Sequence, residues 1–262
     1  MIIRIIFYLL FGYIFLAVLL FLLQRQMIYL PSNIQATPAE YGVSEMEVVQ
    51  LTTGDDLVLQ AWFRPKKKEG MPTIIFFHGN AGHIGNRAVI AKPFLEAGYG
   101  FLLVTYRGYS GNPGSPSEEG FYQDGRAAME FVKNEECLVI YGNSIGAAVA
   151  IQMAIEYPIK ALVLQAPFSS LEDMAKYHYP IFPVAGLIKD RYQSIEKVVD
   201  IHVPALVIYG EQDSINPPEF SRRIYDALPG AKEVLAVPNR GHNDLFAPYQ
   251  IIRFIEKYVA CL

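Results

Sequence analysis

Apolar residues fall along the chain in three regimes. Ile5 to Leu23 is an uncharged apolar run of 19 residues set between Arg4 and Arg25. At 1.5 Å per residue it reaches about 29 Å, close to the roughly 30 Å hydrocarbon core of a bilayer. A cleaved signal peptide has a shorter apolar core and a small-residue cleavage site, whereas this run ends in Leu22-Leu23-Gln24-Arg25-Gln26. The pattern predicts an N-terminal transmembrane helix over 1–24, with a signal peptide as the alternative. Arg4 and the terminal amine precede the run and only Arg25 follows closely. That bias favours the rest of the chain on the non-cytoplasmic side. Residues 25–44 carry Pro31, Pro38 and several polar residues and read as a linker, whose mean reach if flexible is about 25 Å. Met27-Ile28-Tyr29-Leu30 within it is apolar enough to lie at the interface or pack on the domain.

From Glu45 the pattern changes to strands and then to alternation. Met46 to Thr52 and Leu57 to Phe63 flank Thr53-Gly54-Asp55-Asp56, a hairpin signal. Thr73 to Phe77 and Gly100 to Thr105 are unbroken apolar strands, as expected where both faces are covered. Between them, His78 to Gly85 leads into a helix ending near Gly98. Ser115-Pro116-Ser117-Glu118 reads as a capping box, with Ser115 as N-cap and Pro116 at the first helical position. Cys137 to Tyr141 is a buried strand, and Ala147 to Ala154 is rich in helix formers. Further strands are expected at Lys160–Gln165, Pro204–Tyr209 and Lys232–Val237, with helices from about Pro217 and Asp244. Alternation of this kind predicts one α/β domain over 45–262, a mainly parallel sheet with helices on both faces.

Composition narrows the classes. With 262 residues, 52% hydrophobic and 18% charged, the chain has enough for one sizeable core. A net charge of −4 without a basic block leaves no footprint for nucleic acid. Lys66-Lys67-Lys68 is a solvated loop. Cys137 and Cys261 form neither a disulfide framework nor a metal-ligand spacing and read as packing residues. No metal or cofactor is expected; His78 and His83 are an isolated pair on a loop.

The chemistry centres on Gly142-Asn143-Ser144-Ile145-Gly146, a Gly-x-Ser-x-Gly between a strand and a helix. A strand turning sharply into a helix strains the turn residue, and the flanking glycines remove side chains that would clash there. Ser144 then stands at the carboxyl edge of the sheet. Alone it is a poor nucleophile; it needs a base, and the base needs an acid to orient it. Asp213 follows the strand ending at Tyr209, and His242 follows the strand ending at Val237. The order Ser144, Asp213, His242 is that of the strand–turn–helix hydrolases. Glu211 and Asp244 are rival acids, Asp244 reading rather as a cap of the terminal helix. For the oxyanion hole, the elbow itself supplies the Ile145 N–H, and the Gly79 loop supplies that of Asn80. His78 is read as a brace of that loop.

These motifs, with Met27-Ile28-Tyr29-Leu30-Pro31, His78-Gly79-Asn80-Ala81-Gly82, Tyr106-Arg107-Gly108-Tyr109-Ser110-Gly111 and Gly241-His242-Asn243-Asp244, resemble the α/β-hydrolase superfamily from Glu45 onward. They look most like its single-pass membrane-anchored branch of hydrolase domain-containing proteins, which includes protein depalmitoylases. The resemblance implies an eight-stranded sheet with a small cap, and a serine hydrolase with its triad at the positions just derived. Asn143 departs from the Arg, Glu or His of many relatives.

About forty residues lie between Gln165 and Pro204, enough for a cap, and Tyr177-His178-Tyr179-Pro180-Ile181-Phe182-Pro183 is aromatic enough to line an acyl pocket or to be packed cap. With the anchor, this points to an acyl ester or thioester of a small molecule, lipid or acylated protein. The alternative is a catalytically inactive hydrolase fold tethered as a binding module. Nucleotide binding by Gly79 to Gly85 fits neither glycine fingerprint.

Overall fold

The computed structural model describes residues 1–261. Eight strands form the main sheet: β2 (Glu47–Thr52), β3 (Val58–Arg64), β4 (Thr73–Phe77), β6 (Gly100–Leu103), β7 (Leu138–Asn143), β8 (Ala161–Gln165), β9 (Ala205–Gly210) and β10 (Lys232–Val237). Their order is β10-β9-β8-β7-β4-β6-β3-β2. Only the pairs β2–β3 and β3–β6 are antiparallel; the rest run parallel. A second, two-stranded sheet joins β1 (Leu30–Pro31) to β5 (Ala81–Gly82) in parallel.

The unbroken apolar strands follow from two cores. Along β4, Ile75 and Phe77 face one core, while Ile74 and Phe76 face the other. On the first face lie α3 (Glu118–Phe131), α4 (Ile145–Glu156) and α8 (Pro218–Ala227), contributing Phe121, Val149 and Ile224. The second is covered by α2 (Ala88–Ala97) and α9 (Pro248–Tyr258), through Phe94 and Phe254. A strand covered on both sides has no polar face, so alternation disappears from its sequence.

Three local expectations need correction. The capping serine of α3 is Ser117, not Ser115: its Oγ accepts the Gly120 N–H at 3.0 Å, and the helix begins at Glu118. Pro116 instead packs where a Cβ on Gly108 would meet its Cδ at 2.8 Å. The terminal helix begins at Pro248. Cys137 and Cys261 are not unpaired packing residues: they form a disulfide across a sequence separation of 124, with Cα atoms 5.6 Å apart. Packing of Ile251, Phe254 and Ile255 into the second core delivers the end of α9 to the start of β7.

The N-terminal helix, α1 (Ile2–Ile28), has 27 residues and is long and apolar enough to cross a membrane. The chain leaving it is not loose. Tyr29 is 3% exposed within the first core, with its ring 5.1 Å from that of Phe121, and β1 follows at once. Three further α-helices, α5 (Leu171–His178), α6 (Val184–Leu187) and α7 (Ser194–Lys197), form the cap between β8 and β9.

Candidate active site

At the carboxyl end of β7 the chain turns through Ser144 at φ +55°, ψ −118°, in the left-handed half of backbone space. Two glycines allow it. A Cβ on Gly142 would lie 2.4 Å from the Gly146 carbonyl oxygen, and one on Gly146 would lie 2.1 Å from that of Phe77. No side chain fits either gap: Gly142 is required by the elbow's own turn, Gly146 by the close approach of β4. The Ser144 N–H donates to the Gln165 carbonyl at 2.8 Å, tying the turn to β8.

Asp213 follows β9, and its side chain is fully buried. Its Oδ1 accepts the backbone N–H groups of Ile215 at 3.0 Å and Asn216 at 2.7 Å, which fixes the carboxylate. The free oxygen, Oδ2, lies 2.7 Å from His242 Nδ1. His242 Nε2 in turn lies 3.0 Å from Ser144 Oγ. Loops separated by 29 and 98 residues thus bring carboxylate, imidazole and hydroxyl into one line. Paired this way, the carboxylate selects the tautomer with Nδ1–H, leaving Nε2 to accept the serine proton.

The rival acids are elsewhere. Glu211 is exposed. Asp244 does not cap α9: its Oδ1 accepts the Gly241 N–H at 2.6 Å and so closes the turn that presents His242.

Across the serine lies the loop after β4. A Cβ on Gly79 would sit 3.6 Å from Ser144 Cβ, an ordinary van der Waals contact, so this backbone passes directly beside the serine. Asn80 is pinned from two directions. Its carbonyl accepts Leu30 N–H at 2.9 Å and Tyr109 O–H at 2.7 Å, while its Nδ2 donates to the Ile28 carbonyl at 2.8 Å. Ile145 opens α4, where the first N–H groups have no partner within the helix.

His78 braces the same loop, its Nδ1–H donating to the Gly79 carbonyl at 2.6 Å. Complete burial, with the Arg87 charge nearby, pushes its pKa down to about 3 and keeps the imidazole neutral.

Comparison with known proteins gives the family. Over 227 residues the chain is 39% identical to uncharacterized protein Rv2307c of Mycobacterium tuberculosis strain H37Rv, covering 84% of this chain and 81% of that one. It is 33% identical to protein bem46 of Schizosaccharomyces pombe, over 79% of this chain and 74% of that one. Arabidopsis thaliana WAV2, an alpha/beta hydrolase domain-containing protein, is 27% identical over 79% and 76% of the two chains. The chain belongs to the α/β-hydrolase superfamily. Within this hydrolase, residues 69–196 match the family model described as serine aminopeptidase, S33. Its fold is that of the Pyrococcus furiosus esterase Pf2001, with TM-score 0.70 and 19% identity over 87% of this chain and 99% of that one. The α/β hydrolase GrgF of a Penicillium species has the same fold, with TM-score 0.65 and 20% identity over 81% and 98% of the two chains.

What sequence patterns do not reveal in the hydrolase is the other side of the site. Between the lower half of α1 and the cap is a cavity of about 370 Å³, lined almost wholly by apolar side chains, among them Leu20, Phe21, Met174, Phe182 and Leu187. The aromatic tract from Tyr177 to Pro183 is the one sequence signal that hints at it. Nothing in the run from Ile5 to Leu23 says which of its faces meets protein.

Proposed function

We propose that the chain is a membrane-anchored serine hydrolase that cleaves an acyl ester or thioester through an acyl-enzyme intermediate. The reading is carried by one observation, the unbroken hydrogen-bonded line Asp213–His242–Ser144 at the carboxyl edge of a parallel sheet.

His242 Nε2 takes the Ser144 proton as Oγ attacks the carbonyl carbon, and Asp213 stabilises the imidazolium that forms. The oxyanion of the tetrahedral intermediate is held by the N–H groups of Ile145 and Asn80. His242 then protonates the departing alcohol or thiol oxygen or sulfur, leaving Ser144 acylated. Water, deprotonated by the same imidazole, releases the acid and restores the hydroxyl.

In this reading α1 anchors the enzyme and the substrate is an acyl-bearing small molecule, lipid or acylated protein. The flanking charges favour the catalytic domain on the non-cytoplasmic side. The Cys137–Cys261 disulfide supports that side, since such bonds persist in oxidising compartments.

The test is a fluorophosphonate probe, which phosphonylates only an activated serine. The intact protein is expected to be labelled, and Ser144→Ala to be unlabelled. Equal labelling of both, or of neither, overturns the assignment.

A further inference from the structure

The cap and the anchor change character at the same height. Residues 179–188, Tyr-Pro-Ile-Phe-Pro-Val-Ala-Gly-Leu-Ile, contain no charge, and Lys189-Asp190-Arg191 follows directly. On α1, the uncharged run ends at Leu23 and Arg25 follows. These two boundaries are locked together. Arg25 forms a bidentate pair with Asp190 at 2.8 and 2.9 Å, and Gln24 Oε1 accepts the Lys189 N–H at 2.7 Å. Above them, the two apolar stretches run side by side. Tyr13 O–H donates to the Ile181 carbonyl at 2.8 Å, and the rings of Tyr13 and Phe182 stack at 5.2 Å. Tyr13 precedes Arg25 by three turns, about 18 Å along the axis. A helix that spans the bilayer with Arg25 at the headgroups therefore carries the cap tip into the hydrocarbon with it.

Much of the cap backbone is suited to that solvent. Irregular chain survives there only when its polar groups are met internally. The N–H groups of Tyr179, Phe182, Val184, Gly186 and Ile188 all donate to nearby cap carbonyls. Pro180 and Pro183 have no N–H to satisfy. Ile181, meanwhile, is 71% exposed, an apolar side chain left facing outward at the tip. The charges on α5 are paired: Lys176 with Glu172 at 2.6 Å, and Asp173 with Arg223 at 3.0 Å.

The apolar cavity lies between these two immersed walls. Ala17, Leu20, Phe21, Gln24 and Ile28 are the partly covered positions of α1 along this stretch, and their spacing makes one stripe facing the cap. Two of the residues lining the cavity, Ile28 and Ile215, are hydrogen-bonded to the Ser144 rim. The Ile28 carbonyl accepts from Asn80, and the Ile215 N–H donates to Asp213. About 370 Å³ is within the range of small-molecule sites.

We infer that this cavity is the acyl-chain site, that the transmembrane helix forms one wall of it, and that its ligand is a long acyl chain entering sideways from the bilayer. The occupant is thus a membrane-resident lipid, whose tail never crosses water on its way to Ser144. This rests on reading the Ser144 centre as an acyl-transfer site. The anchor is then part of the substrate site, in addition to a tether.

The test uses the full chain in phosphatidylcholine vesicles. A phosphatidylcholine bearing a 16-carbon chain with a terminal diazirine is photolysed with the Ser144→Ala variant, and the adducts are mapped. Adducts are expected on Leu20, Phe21, Met174 or Leu187, beyond the background on outward-facing Leu19 and Leu22. Ala175→Trp, which fills the cavity, is expected to remove the former and leave the background. In the otherwise intact enzyme, Ala175→Trp is expected to lower the ratio of 16-carbon to acetyl ester turnover at least ten-fold. Adducts confined to the outward face, or a turnover ratio that does not move, overturn the inference. Cavity adducts without fluorophosphonate labelling of Ser144 would keep the acyl site and discard the hydrolytic reading; labelling without cavity adducts would do the reverse.

Discussion

The two sides of the site are built by different physics. On the Ser144 rim, the position of each group is fixed by close backbone contact. Ser144 sits between glycines that admit no Cβ, and Asp213 is held by two N–H groups in its own turn. On the cap side, position comes from side chains reaching across 163 to 168 residues, as with Gln24–Leu187, Arg25–Asp190 and Tyr13–Ile181. Rigid sterics suit a centre that must place a proton and an oxyanion to a fraction of an ångström. Exchangeable polar latches around an apolar void suit a site that receives a flexible chain. The rim is expected to break in large steps, and the cap to soften in small ones.

The largest step is expected from Asp213→Asn. Without the carboxylate the imidazole loses its preferred tautomer, and turnover should fall by about 10⁴-fold, as in serine-protease triads. Steady-state kinetics on an acetyl ester, with the thermal midpoint measured in parallel, checks it. Near-full activity would move the acid role away from Asp213.

A stability effect separates the rim by pH. His78 is held neutral in the fold with a pKa of about 3, against about 6.5 when unfolded. Between those values the unfolded chain binds a proton that the folded one does not. Stability is therefore full above pH 6.5 and is lost as pH falls toward 3, by about 1.4 kcal/mol per unit from this group. Urea unfolding across that window should show a flatter pH dependence in His78→Gln, by about one proton.

The smallest effect is expected at the cap. Tyr13→Phe deletes one hydrogen bond between anchor and cap tip, worth about 0.6 kcal/mol in membrane interiors, and should cost roughly two- to three-fold in turnover of a 16-carbon ester in vesicles. A loss as large as that of Asp213→Asn would erase the distinction between the two sides.

Much of the rim is legible in the sequence because its causes are local. The elbow needs glycines two residues either side of Ser144, and a parallel sheet gathers whatever follows its strands onto one edge. The alternation of strands and helices, and the covered β4, β7 and β8, follow from apolar runs alone. The α3 cap lies two residues beyond the position its pattern predicts: Ser115 and Ser117 carry the same hydroxyl, and the fold uses that of Ser117, which accepts the Gly120 N–H. Asp244, two residues after His242, has the pattern of a helix cap, whereas in the fold its Oδ1 accepts the Gly241 N–H and braces the turn.

By itself, the sequence determined the fold class, the Gly-x-Ser-x-Gly turn and the order of groups along the rim, since these are written in short motifs and in the periodicity of apolar runs. The tertiary structure alone decided that Cys137 meets Cys261, that Tyr29 is core, and that one stripe of α1 walls a cavity with the cap. Such pairings join residues about ninety or more positions apart. Their energy exists only once the two cores have formed, and no short pattern of residue types encodes it.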